Sequence, residues 1–94
     1  NNLQVLDEFI AKNSKYLSYV KPKSGTTAFV KVSSNGKFTT LDMCLELVNK
    51  YKILLVPGET FGHPDFIRIG YANNIVDLTK SLEAVQLYLN DKFK

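Results

Sequence analysis

The chain has 94 residues, enough for one domain, and its 45% hydrophobic and 22% charged content is ordinary for a globular fold. No stretch nears the roughly 18 apolar residues of a membrane span, and no secretory signal pattern is present, so a cytoplasmic protein is expected. The net charge of +3 is mild and the lysines are scattered, which argues against a nucleic-acid footprint.

Residues 3–18 carry Leu3, Leu6, Ile10 and Leu17 at helical spacing, with Val5, Phe9 and Tyr16 widening the stripe. Asp7 and Glu8 near the start, and Lys12 and Lys15 near the end, suit the helix dipole. Pro22 and Gly25 then break the pattern, which predicts a loop. Residues 27–32 alternate, with Ala28, Val30 and Val32 on one face and Thr27, Phe29 and Lys31 on the other, which predicts a strand. Asn35-Gly36 signals a turn, after which Lys37-Phe38 can pair back as a short hairpin.

Thr39 followed by Asp42 resembles a capping box that starts a helix over residues 41–51. Leu41, Met43, Cys44, Leu45, Leu47 and Val48 are too many for one stripe. Either this helix is wholly interior, or one face meets a surface outside the chain. Ile53-Leu54-Leu55-Val56, ended by Pro57-Gly58, predicts a central strand covered on both faces. Residues 66–72 form the next strand, with Phe66, Arg68, Gly70 and Ala72 pointing one way and Ile67, Ile69 and Tyr71 facing the core. Asn73 or Asn74 caps a final helix with Ile75, Leu78, Leu82, Val85 and Leu89 on its inner stripe. The expected fold class is a two-layer α/β (α+β) domain. A three- to four-stranded sheet is covered by helices in the order α-β-α-β-β-α.

Arg68 is the chemically telling residue. A guanidinium keeps its charge, and its planar fork matches a carboxylate with two parallel hydrogen bonds. Set in an apolar strand beside Gly70, it points to a carboxylate-holding site. An internal salt bridge to Asp65 or Glu59, or an exposed arginine on an edge strand, would also account for it, and structural ion pairs outnumber ligand sites. Cys44 is the single cysteine and His63 the single histidine. No disulfide is therefore expected, nor a zinc site, and Cys44 is expected in the core. The two have no nucleophile–base signature. The chain begins at Asn1 directly in helical periodicity, so a longer parent is expected.

Three blocks then resemble a known family in its own order. They are Pro22-Lys23-Ser24-Gly25-Thr26-Thr27-Ala28-Phe29, the stretch over residues 45–62 with its Pro-Gly-x-x-Phe-Gly loop, and Phe66-Ile67-Arg68-Ile69-Gly70-Tyr71-Ala72. Together they resemble the C-terminal small domain of class I/II aminotransferases, the pyridoxal-phosphate enzymes of the aspartate aminotransferase fold. The resemblance covers nearly the whole chain. It implies that Arg68 binds the α-carboxylate of an amino-acid substrate. It also implies that Thr27 and Ala28 approach that substrate, and that Phe61 and Gly62 lie in a loop near the domain boundary. Thr27 departs from the aromatic residue some members carry there, which leaves side-chain specificity open.

The resemblance further implies that the cofactor lysine and the other groups that hold pyridoxal phosphate belong to a large domain upstream. Residues 1–94 would then be one domain of a cytoplasmic, biosynthetic homodimer exchanging amino groups between an amino acid and a 2-oxo acid. The segment alone would bind no cofactor or metal and catalyse nothing. Some members with this fold are C–S lyases or synthases, and the small domain does not separate them. A stand-alone module holding an acidic ligand through Arg68 is the competing reading. An RNA-binding sheet would need flanking basic motifs around Phe29 and Phe66, and none is present.

Overall fold

The computed structural model describes residues 2–19, 25–71 and 74–94. It is a two-layer α+β domain with a four-stranded antiparallel sheet in the order β1-β2-β4-β3. The elements are α1 (Asn2–Lys12), β1 (Leu17–Tyr19), β2 (Thr27–Val32), α2 (Thr40–Glu46), β3 (Val56–Pro57), β4 (Phe66–Gly70) and α3 (Ile75–Lys92). A wide π turn over Leu47–Tyr51 prolongs α2, and a 3-10 turn over Gly58–Phe61 follows β3.

The first helix is shorter than its periodicity predicts. Asn13 ends it by turning its side-chain amide back onto the Phe9 carbonyl at 3.0 Å and across to Gln86 Oε1 on α3 at 2.9 Å. Asparagine offers the backbone such an alternative to further helix. Leu17 then enters the sheet, and β1 pairs with β2 through Leu17↔Val32 and Tyr19↔Val30. Leu17 fits both the helical stripe and a buried strand position, which is why spacing alone misplaces it.

The Asn35-Gly36 turn forms with both residues at positive φ, 54° and 75°. No hairpin follows it. Phe38 instead packs edge-on against Tyr88 of α3, ring centroids 5.1 Å apart, because an aromatic ring gains more from the core than a two-residue strand gains from pairing.

Thr39 caps α2 as expected, its Oγ1 accepting from the Asp42 amide at 3.0 Å. Met43, Cys44 and Leu47 are buried, whereas Leu41 and Leu45 are 43% and 51% exposed. The helix is therefore not wholly interior.

The continuous run at residues 53–56 is not a central strand. Only Val56–Pro57 pairs, on one side, with β4, and Leu54 is 81% exposed. Proline has no N–H to give a second neighbour, so this strand can only be an edge. Lys52, left-handed at φ 61°, closes the π turn, its amide donating to the Leu47 carbonyl.

The β4 strand alternates as predicted, with Ile67 and Ile69 buried and Arg68 and Gly70 outward. Tyr71 is buried too, while Ala72 and Asn73 lie outside the described residues. Asn74 is the cap of α3, its Oδ1 accepting from Val76 N–H at 2.7 Å. Leu78, Leu82, Val85 and Leu89 form the buried stripe, but Ile75 stays at the surface.

One core joins these faces: Leu6 and Ile10 of α1, Ala28, Val30 and Val32 of β2, Ile67 and Ile69 of β4, and the α3 stripe. Each fully buried aliphatic side chain contributes about 1.5–3 kcal/mol relative to exposure. The helices cover one face of the sheet. The other face carries Phe29 and Arg68 into solvent.

Candidate carboxylate-binding groove

Register places Arg68 in the middle of the uncovered face. On β4 it sits directly across from Phe29 of β2 on one side and Val56 of β3 on the other. Directly opposed residues of antiparallel strands share a face, so these three form one row. Arg68 thus lies on an interior strand, not an edge.

It is also not half of an internal salt bridge. Among the described residues the ion pairs are Lys92–Glu46 at 3.6 Å, Lys92–Asp91 at 3.9 Å and Lys94–Asp91 at 3.5 Å, all remote from Arg68. Glu59 is engaged elsewhere. Its Oε1 accepts from Thr40 Oγ1 at 2.7 Å and its Oε2 from the Leu41 amide at 3.0 Å. Burial pushes the Glu59 carboxyl up, but these hydrogen bonds outweigh that and hold it below the usual carboxylate range.

Arg68 instead opens onto a groove of about 480 Å³ that it lines with Phe29, Phe61, His63 and Phe66. Phe29, 52% exposed, meets Phe61 edge-on with centroids 5.4 Å apart. His63 bridges the wall, 5.8 Å from Phe61 and 6.3 Å from Phe66. The groove is a strip of aromatic faces with a single guanidinium, which suits a carboxylate attached to an apolar body.

The loop that carries Phe61 and His63 is wound tightly. The His63 amide donates to the Gly58 carbonyl at 2.8 Å. A Cβ on Gly58 would collide with the His63 carbonyl oxygen and come within 2.7 Å of that of Phe66, so only glycine fits there. Gly62 ends the 3-10 turn at φ 81°, in the left-handed region.

The other candidates fall as follows. Thr27 is paired with Gly70 on the Arg68 face, one row from Phe29, and is not among the residues that line the groove. Phe61 is in the groove wall and Gly62, not itself a lining residue, ends the 3-10 turn that carries it. Ala28 is not on this face: strand alternation turns its side chain into the core, where it is 2% exposed. Alternation about Arg68 already puts Phe66 on its face, and the groove lining includes it. Sequence reasoning missed Phe29 and His63 as groove residues, and only the register between strands selects Phe29.

Cys44 and His63 do not form a reactive pair. Cys44 is buried on α2, and burial followed by the charge of Glu59 pushes its thiol up to about 11. Among the described residues no cluster of His, Cys, Asp and Glu is arranged to hold a metal, and no helix is long and apolar enough to cross a membrane.

In sequence, the chain is 30% identical over 76 residues to an aspartate aminotransferase of Thermotoga maritima, and 32% identical over 85 residues to capreomycidine synthase of Streptomyces vinaceus. These matches take in 81% and 90% of this chain. In structure, it superposes with TM-score 0.88 and 33% identity on a PLP-dependent aminotransferase from Streptococcus suis, over 99% of this chain. The fold is aspartate aminotransferase-like. No family model matches the sequence. The chain spans 19% and 21% of the length of the two curated relatives and 24% of the Streptococcus chain. The fold class expected from the three sequence blocks is therefore the observed one.

Proposed function

We propose that this chain is the substrate-carboxylate-binding small domain, C-terminal in its parent, of a pyridoxal-phosphate-dependent aminotransferase. The observation that carries the reading is Arg68. It is an unpaired guanidinium among the described residues, at the centre of an uncovered sheet face, lined by aromatic rings, on an aminotransferase-like fold.

The parent exchanges amino groups between an amino acid and a 2-oxo acid, and acts as a homodimer in the cytoplasm. In it Arg68 takes the α-carboxylate with two parallel hydrogen bonds and so fixes the orientation of the substrate's Cα–H bond. Phe29 and Phe61 exclude water beside that ion pair, and Thr27 lies on the same sheet face one row away. Pyridoxal phosphate, when bound, supplies the electron sink for the reacting carbon. Among the described residues that line the groove none is a primary amine, and the guanidinium there suits a carboxylate. The cofactor's anchor belongs to the rest of the parent, and the isolated segment is inactive.

A second reading is a synthase or lyase of the same fold. It is favoured by the likeness to a relative named capreomycidine synthase, and it keeps the same role for Arg68. The test is a transamination assay of the purified intact protein against a panel of amino acids, with 2-oxo acid acceptors. Amino transfer that collapses in Arg68→Ala supports the aminotransferase. Conversion of an amino acid without amino transfer, still dependent on Arg68, favours the second reading. Turnover indifferent to Arg68 overturns both.

A further inference from the structure

We infer that Thr40 and Glu59 are positioning residues of this groove, forming a clamp that holds its aromatic wall over Arg68. The inference rests on the carboxylate role proposed for Arg68. The loop between β3 and β4 leaves and re-enters the fold at one hydroxyl. Near its start, Glu59 Oε1 accepts from Thr40 Oγ1 at 2.7 Å. At its end, the Asp65 amide donates to the same Thr40 Oγ1 at 3.2 Å. Thr40 is 1% exposed, and a buried hydroxyl left unpaired is costly.

Each end is fixed further. Glu59 Oε2 takes the Leu41 amide at 3.0 Å, in the first turn of α2, where a carboxylate is favoured by the free N–H groups. Asp65 sits at φ 75°, a costly backbone for a non-glycine residue, and its carbonyl receives Val32 N–H of β2 at 2.8 Å. The loop's own hydrogen bonds, His63 N–H to Gly58 O at 2.8 Å and Phe66 N–H to His63 O at 3.3 Å, set its shape. They do not tie it to α2. The side-chain ties to α2 run through Thr40 and Glu59: Thr40 Oγ1 to Glu59, the Leu41 amide to Glu59, and the Asp65 amide to Thr40.

Between the two clamped ends lie Phe61 and His63, the part of the groove wall that comes from no strand. Arg68 itself is held by β4 between two neighbours. Loosening the clamp therefore moves the wall and leaves the guanidinium where it is. A ligand that touches both should feel the loss; a ligand that needs only the guanidinium should not. Sequence reading had placed Glu59 as a possible partner of Arg68. The geometry gives it to α2 instead, which frees the arginine and steadies the wall with one carboxylate.

The experiment uses the intact protein and two carboxylate probes, 3-phenylpropionate and succinate, titrated by calorimetry alongside thermal unfolding. Arg68→Ala should weaken both. Thr40→Val and Glu59→Gln should weaken 3-phenylpropionate fivefold or more and change succinate less than twofold, and Thr40→Ser should restore ring-probe affinity to within twofold. A shared loss of both probes in Thr40→Val, in proportion to lost stability, would make the clamp merely structural and overturn the inference. So would unchanged ring-probe affinity in both clamp variants. Should Thr40→Val fail to fold, Glu59→Gln and Thr40→Ser decide alone. If neither probe binds in an Arg68-dependent way, the carboxylate reading fails and the clamp with it. If Arg68→Ala acts and the clamp variants are silent, only the clamp fails.

Discussion

Replacing Arg68 with lysine separates binding from folding more cleanly than any other change in this chain. Arg68 makes no ion pair among the described residues, and its side chain leaves the sheet on the uncovered face. Surface substitutions of that kind usually stay within about 0.5 kcal/mol in stability. The ligand should feel far more. A lysine keeps the charge but not the planar fork, so one of two charge-assisted hydrogen bonds is lost. Each such bond is worth about 1.5–3 kcal/mol, which at about 1.4 kcal/mol per decade is roughly 10- to 150-fold. Steady-state kinetics of the intact protein should show kcat/KM for amino acids reduced by that factor, with Tm moved by no more than about 2 °C. A kcat/KM unaltered by Arg68→Lys would refute the carboxylate role. A large fall in Tm with unchanged kcat/KM would show Arg68 to be a fold residue after all.

Other consequences can be checked on the same material. Cys44, with its thiol pushed up to about 11, is only about one part in a thousand thiolate at about pH 8, so iodoacetamide should label it slowly until the domain is unfolded. Glu59 is held below its ordinary carboxylate range, so its contribution to stability is full above the unfolded value near about 4.3 and is lost as pH falls through the folded one. Thermal unfolding of Glu59→Gln should therefore decline less than wild type between about pH 6 and about pH 3; equal declines would show that Glu59 is not a stabilising carboxylate. Gly58→Ala forces its Cβ into the His63 carbonyl, and the overpacking should cost about 1–3 kcal/mol and weaken carboxylate binding together.

The parts of this fold that were legible in the sequence are those where one period dominates. Residues 27–32 and 66–70 alternate without ambiguity, and both strands form with the predicted faces. The Leu78, Leu82, Val85, Leu89 stripe likewise has one reading. Difficulty arose where tertiary partners decide. Leu17 satisfies two periods, and Asn13, through Gln86 far along the chain, settles which applies. The run at residues 53–56 is apolar enough for a central strand, yet only Val56–Pro57 pairs and the missing N–H of Pro57 suits an edge. At the site, Arg68 was conspicuous because a charge interrupted an apolar run. Phe29 and His63 were not, since their partnership with Arg68 depends on strand register and on a loop closed over Gly58.

The exposure of Arg68 itself argues that the groove is half of a site. An ion pair open to water is worth about 0–1 kcal/mol, because solvent screens it and both partners are already hydrated. At that strength the 94-residue chain alone would hold a simple carboxylate no better than about tenths of molar. A guanidinium placed for bidentate binding gains its full strength only when water is excluded above it. The sheet supplies the floor and the loop after β3 one wall; on the function proposed above, the covering surface would come from the remainder of a longer parent. Titrating acetate into the isolated chain and into the intact protein, while following the Arg68 side-chain resonance, measures the difference. Binding at least tenfold tighter in the intact protein is expected. Equal affinities would mean that the groove is complete as it stands, and would favour the stand-alone binding module over the enzyme domain.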